Sequence, residues 1–175
     1  MIRVIKHRGP DDAGFYSDGQ VGLANARLSI IDIEGGHQPQ RNEDGTVHVT
    51  YNGEIYNFQP LRAELEKAGH KFSTKSDTEV IVHGYEQFGD ACIQRLNGMF
   101  AIAIWDSAKK KLLLARDRMG IKPLYYTIQD GGIIFASEIK ALLQARIKKN
   151  VDPTALYSVL NVGYIPGERT LIRGI

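Results

Sequence analysis

Four short apolar runs crowd into one stretch of the chain. They are MFAIAIWD (residues 99–106), KLLLARD (111–117), KPLYYTI (122–128) and GIIFAS (132–137), with only turn residues between them. Links this short leave no room for a crossover helix, so neighbouring strands must run antiparallel. The four runs are expected to be successive strands of one antiparallel meander.

The rest of the chain alternates between strand and helix signals. Residues 1–8 resemble the tail of a helix that Gly9-Pro10-Asp11-Asp12 ends. QVGLANARLSIIDI (20–33) is rich in β-formers and is broken by Gly35-Gly36 and Pro39. Val47, Val49 and Tyr51 alternate with polar residues, as in a half-buried strand. A helix is expected over residues 58–68, with Leu61 and Leu65 on one face and Gly69 as its stop. Ser76-Asp77-Thr78-Glu79 has capping-box spacing, so a second helix should start at Ser76, with Glu79 reaching back to the cap, and run to Gly89. A short helix around Cys92, another over SEIKALLQ (137–144) and one opened by Asp152-Pro153 and ending near Leu160 complete the pattern. GYIPGERTLIRGI ends in what resembles the start of a further strand. The expected fold class is α+β, with antiparallel sheets flanked by helices. One domain over residues 1–150 is expected, with 151–175 starting a connection to a further domain.

Charge narrows the function classes. Twenty-two basic residues stand against 20 acidic ones, giving a net charge of +2 and a pI near 8.6, so no strong field favours nucleic acid. The one compact basic run, Lys109-Lys110-Lys111, reads as a solvated turn between two apolar strands. The longest apolar run is far below the ~20 residues of a membrane helix, so no membrane partner is expected. A single cysteine, Cys92, cannot form an internal disulfide, and the five histidines show neither zinc-finger spacing nor an HExxH pattern, so no metal is expected. A reducing cytoplasm fits.

Several strings then occur in a fixed order: KHRGPDDAGFY, ANARLSIIDIEGGHQP, YNGEIYNF, KSDTEVIVHGYEQFG, LNGMFAIAIWD and ARDRMGIKPLYY. Together they resemble the glutaminase domain of glutamine-hydrolysing asparagine synthetases, a class II amidotransferase within the N-terminal-nucleophile hydrolases. The resemblance implies a four-layer αββα sandwich of two antiparallel sheets, here without its first strand. It implies that L-glutamine is hydrolysed to glutamate, and that the ammonia amidates aspartate on a synthetase domain held in cis or in trans. No cofactor is implied for the glutaminase domain. ATP and Mg belong to the synthetase domain, whose pyrophosphatase loop is not in this sequence. A homodimer is one assembly it allows.

Site residues follow from the same resemblance. Asn52 (side-chain amide) and Gly53 (backbone N–H) form the oxyanion hole. By local sequence alone, Asn-Gly between VHVTY and EIYN reads instead as the tight-turn pair of a β-hairpin, and the resemblance reverses that preference. Arg27 would clamp the α-carboxylate of glutamine with its guanidinium fork, where an unrelated chain would use it in a surface ion pair. Backbone groups of Leu28, Ser29, Ile30 and Ile31 would line the pocket. Glu54 and Asp77 would meet the α-ammonium, although Asp77 also suits the first turn of a helix for dipole reasons. Arg116, Asp117, Gly120 and Pro123 read as scaffold, with Arg116 and Asp117 pairing internally.

The family's nucleophile is a cysteine that follows the initiator methionine, with its own α-amine as base. This sequence opens Met1-Ile2-Arg3 instead, which aligns inside the family's first helix. Cys92 lies in an apolar setting with no free amine beside it. The chain alone is therefore expected to be inactive. A glutamine-binding or regulatory module without hydrolysis, and an amidotransferase acting on a different carboxylate, are the alternatives.

Overall fold

The computed structural model describes residues 1–28 and 35–175. They fall into two compact units, Ile2–Pro123 and Leu124–Ile175, with Met1 grouped in the latter.

The larger unit begins with a 3₁₀ segment, Ile2–Arg8, followed by a hairpin of β1 (Asp12–Ser17) and β2 (Gly22–Arg27). A four-stranded antiparallel sheet follows in the order β3 (Gln40–Arg41), β4 (Val47–Ile55), β5 (Gly98–Asp106), β6 (Lys111–Arg116). Helices α1 (Phe58–Lys67), α2 (Asp77–Phe88) and the short α3 (Cys92–Arg95) lie between β4 and β5 in sequence. Strand alternation assigns the faces of β4. Val47, Val49, Tyr51 and Ile55 join Leu61, Leu65, Val80, Ile81 and Tyr85 in the main core, under the helices. The intervening residues face the β1–β2 hairpin. There Tyr16 stacks on His48 at 3.5 Å, Asn25 donates to Thr50 Oγ1 at 3.2 Å, and the Trp105 indole donates to Asp18 at 2.7 Å. The unit is thus a helix layer, a sheet and a second, smaller sheet.

Asn52-Gly53 is not a hairpin turn. It lies within β4, with Asn52 opposite Ala101 and Gly53 opposite Phe100. A side chain at Gly53 has no room, since its Cβ would stand 2.0 Å from the Met99 carbonyl oxygen. The glycine is required by the close approach of β5, not by a turn.

The single meander is corrected. β5 and β6 belong to the four-stranded sheet, whereas β7 (Tyr125–Gln129) and β8 (Gly132–Ala136) form a separate two-stranded one. The cause is the segment between β6 and β7. Asp117 gathers the N–H groups of Phe100 (3.2 Å), Ile121 (2.9 Å) and Lys122 (3.0 Å) on its carboxylate. The Arg116 guanidinium holds the carbonyls of Gly120 (2.6 Å) and Lys122 (2.7 Å). Gly120 supplies the positive φ of 64°. Arg116 and Asp117 are scaffold, as expected, but each binds backbone instead of the other. The resulting knot redirects the chain before it can pair with β6.

The cap of α2 also differs in detail. Ser76 accepts from the Thr78 N–H at 3.2 Å, as a cap should. Glu79 reaches further back than the capping box requires, to the N–H groups of Ser73 (2.7 Å) and Thr74 (2.8 Å). It therefore staples the incoming loop, while Thr74 Oγ1 serves the Ser76 N–H at 3.2 Å.

In the smaller unit, the β7–β8 hairpin is followed by α4 (Ile139–Leu142) and α5 (Pro153–Val162). Asp152 caps α5 through Thr154 and Ala155. The final segment touches a strand partner once, at the Val151–Ile172 bridge.

Candidate functional site

The edge of β4 facing β3 concentrates the residues singled out in the sequence. β3 pairs with β4 at only two positions, His48 and Val49. Elsewhere side chains take its place. The Val47 N–H donates to Asn42 Oδ1 (3.0 Å), the Tyr51 N–H to Gln38 Oε1 (2.7 Å) and the Ile55 N–H to Asp77 Oδ2 (3.0 Å). These are alternate residues, so their N–H groups share one edge. The same alternation places the Gly53 N–H on that edge. No hydrogen bond from it to a described residue is recorded there.

Beside it, Asn52 Nδ2 is sealed from solvent and has no hydrogen-bond acceptor among the described residues. A buried amide donor without a partner costs about 1–3 kcal/mol. Two adjacent donors, the Asn52 amide and the Gly53 N–H, therefore stand without an acceptor among the described residues. That arrangement suits an oxygen brought in from outside, above all one that gains negative charge.

Three segments converge here. From β2, Asn25 Nδ2 donates to Gln38 Oε1, Thr50 Oγ1 and the Tyr51 carbonyl, each at 3.2 Å. Arg27, two residues further on, shares the inward parity of Leu23 and Asn25 and is itself buried. Across the ladder from it, the Asp12 carboxyl is held below its ordinary value. The His37 hydrogen bond contributes most to that, burial opposes it, and the charge of Arg27 helps. From α2, Asp77 is buried at the first helical position and accepts from the Tyr51 hydroxyl (2.8 Å) as well as from Ile55. Burial, then the Asp77 charge, push the Tyr51 phenol far above its ordinary range, so it stays a donor.

The other expected residues are less engaged. Glu54 is an exposed residue of β4, opposite Met99. Leu28 is 55% exposed. Ser29, Ile30 and Ile31 lie outside the described residues. Sequence reasoning missed Asn25 and Gln38, which bind the strand edge directly. The available signal for Asn25 was its period-two spacing between Leu23 and Arg27. Gln38, in a loop before Pro39, carried none.

Cys92 is no substitute nucleophile. It is 2% exposed within the main core, and burial pushes its thiol up to about 12. A thiol in that state is neither ionised nor reachable near neutrality. No helix among the described residues is long and apolar enough to cross a membrane.

Comparison with known proteins gives a consistent result. A family model described as a glutamine amidotransferase domain matches residues 1–175. The chain is 44% identical over 171 residues to asparagine synthetase [glutamine-hydrolyzing] 1 of Bacillus subtilis, covering 98% of this chain and 27% of that protein. It is 53% identical over 142 residues to synthetase 2 of the same organism, covering 81% and 19%. A rice asparagine synthetase is 48% identical over 143 residues, covering 81% and 24%. The chain thus spans about a quarter of the length of these relatives. Among solved structures, a glutamine phosphoribosylpyrophosphate amidotransferase from B. subtilis, complexed with ADP and GMP, superposes with a TM-score of 0.68 at 23% identity. That match covers 87% of this chain and 42% of the other, and at that identity it speaks for the fold.

Proposed function

Because this chain belongs to the glutamine amidotransferase domain family, we propose that it seats L-glutamine at the β4 edge as the glutaminase part of an asparagine synthetase. One observation carries the proposal: the sealed, unpartnered Asn52 amide next to the edge-facing Gly53 N–H. In this account the glutamine side-chain carbonyl enters between those donors. As a nucleophile attacks the amide carbon, the oxygen becomes an oxyanion and both bonds strengthen. Such preorganised donors contribute roughly 2.7–4 kcal/mol each to a transition state of this kind. The buried Arg27 guanidinium pairs with the α-carboxylate. Asp77, fixed by Tyr51 and Ile55, and the exposed Glu54 provide negative charge for the α-ammonium. Leu28 borders the same pocket.

The relatives' names support the wider chemistry. Ammonia released here would amidate aspartate on a synthetase portion, with ATP and Mg acting there. The protein would work in the cytoplasm, where those substrates meet, and a homodimer is compatible with this role. Within these 175 residues the one thiol is the sealed Cys92, so glutamine binding is the function they can be tested for by themselves.

The test is calorimetry with glutamine. The chain should bind it, and Arg27→Ala should weaken binding roughly tenfold or more, as expected for losing a charged hydrogen bond. Asn52→Ala should leave binding close to wild type, because its contribution grows only as the oxyanion forms. In a glutamine-hydrolysing form of the protein, the same Asn52→Ala change should lower kcat by roughly 10²–10³. A folded chain that gives no heat with glutamine, or an Arg27→Ala variant that binds normally, rules the proposal out.

A further inference from the structure

On the far side of α2, away from the Asp77 end, two histidines and a glutamate meet in an arrangement that glutamine chemistry does not use. His83 and Glu86 are one turn apart on α2 and so share a face, and His70 follows Gly69 in the loop after α1. One ligand atom from each of the three lies within 4.8 Å of the others. We propose that His70, His83 and Glu86 form a divalent-cation site of the zinc class, which clasps the loop after α1 onto α2.

The distances have the right scale. His83 Nδ1 stands 2.8 Å and His70 Nδ1 3.6 Å from Glu86 Oε2. Zinc bound tetrahedrally at 2.0–2.1 Å holds its ligand atoms about 3.3–3.4 Å apart, between those two values. Small rotations of the side chains would bring both onto one ion.

The surroundings orient all three ligands. Asn42 Nδ2 donates to Glu86 Oε1 at 2.7 Å, which leaves Oε2 turned to the histidines. His70 Nε2 lies 3.0 Å from the Gln87 amide oxygen, an obligate acceptor, so the proton of the neutral ring sits on Nε2. His83 Nε2 is buried without a hydrogen-bond partner among the described residues, 3.6 Å from the Glu79 carboxylate, while its Nδ1 lies within hydrogen-bond reach of Glu86 Oε2. Phe72 packs edge-on against the His83 ring, with centroids 4.7 Å apart. Outer partners of this kind fix the tautomer and raise ligand basicity at metal sites. With its proton on Nδ1 a neutral His83 donates to Glu86 but leaves the Nε2 lone pair facing the Glu79 carboxylate; with it on Nε2, two imine lone pairs and a carboxylate oxygen point at one another. A positive charge among these groups relieves either arrangement.

Two species can supply the charge: a metal ion, or a proton that makes His83 an imidazolium. Burial opposes the imidazolium, but Glu79 and Glu86 outweigh it and hold His83 above its ordinary value, so a metal must displace a proton there. The favoured metal has borderline character, since two imidazoles and one carboxylate suit zinc better than magnesium or calcium. Access is available, because the His70 and Glu86 side chains are 18% and 24% exposed, against 2% for His83. A water would complete the fourth position.

The experiment is competition between the full 175-residue chain and a chromophoric chelator for Zn²⁺, with thermal unfolding in parallel. One equivalent should bind at micromolar concentration or below, Tm should rise with free zinc, and Mg²⁺ should do neither. His70→Ala and Glu86→Gln change partly exposed side chains; Glu86 meets the β4 edge only through Asn42 at its Val47 end, and a glutamine side chain in its place keeps an oxygen for that bond. Each should weaken zinc at least about tenfold without changing glutamine binding. Three results overturn the site: no uptake at about 100 μM zinc, uptake unchanged in both variants, or a His83 ring that stays protonated by NMR in the presence of zinc.

Discussion

Two places in the larger unit gather backbone N–H groups, and they differ in what receives them. At the turn after β6, the donors of Phe100, Ile121 and Lys122 all end on the Asp117 carboxylate, and Arg116 holds the carbonyls of the same turn. At the β4 edge, Asn42, Gln38 and Asp77 satisfy Val47, Tyr51 and Ile55, but the donors of Asn52 and Gly53 are left over among the described residues. A closed set of donors marks scaffold, because nothing is reserved for a ligand. An incomplete set, bordered on both sides by satisfied neighbours, marks a place where another molecule is expected. Both come from motifs of similar length, and only the hydrogen-bond accounting separates them.

If that distinction is right, breaking the closed set should cost the most stability. Asp117→Ala leaves the N–H groups of Phe100, Ile121 and Lys122, with that of Met119 beside them, without this acceptor and should destabilise the chain by about 3 kcal/mol, measured by urea unfolding. The same residue has a pH signature. Burial works to raise the Asp117 carboxyl, but the N–H groups of Lys122, Ile121, Phe100 and Met119 outweigh it and hold it below its ordinary 3.8. Its stabilisation is therefore fully present above 3.8 and is lost as pH falls through the lowered folded value. Asp117→Asn should remove that acid dependence. A mutant as stable as wild type would show that the turn is not closed by this carboxylate.

The next largest effect belongs to Gly53→Ala. Its Cβ would meet the Met99 carbonyl and the Phe100 backbone, so β4 and β5 must separate locally, at about 1–3 kcal/mol. Chemical denaturation measures this, and a neutral result would mean that the two strands are less closely apposed than described. Smallest of all should be Asn52→Ala. Deleting a buried donor that has no partner among the described residues should destabilise by no more than about 0.5 kcal/mol, and the desolvation cost it relieves can make the change stabilising. A loss comparable to that of Asp117→Ala would mean Asn52 already has an acceptor within the protein, and the contrast would disappear.

Much of this was legible in the sequence, for local reasons. The Ser76 cap, the α1 and α2 faces and the Asp152-Pro153 start of α5 depend on neighbours within four residues, and those spacings are visible in the chain. What needed distant partners was not. Whether Asn52-Gly53 turns or continues is decided by Met99 and Gly98 on β5, some 45 residues away, which pair with Glu54 and Ile55 and carry the strand through. The break between β6 and β7 depends on Asp117 finding Phe100. β1, with its GFYS pattern, went unread because its inward side is completed by distant partners, His37, Gln38-Pro39 and His48. Asn25 and Gln38 serve the edge through side-chain amides, a role that leaves no periodic trace.

The substitution of amides and a carboxylate for a strand along β4 has an effect on how the protein meets its own kind. An unprotected strand edge invites another chain to zip onto it. Here the row is stoppered at Val47, Tyr51 and Ile55 by groups that belong to the same molecule, so a visiting strand would have to displace all three to gain a ladder. A lone small molecule has to displace none. The sheet border thereby discriminates by size, resisting a polymer while leaving single donors within reach of a small guest.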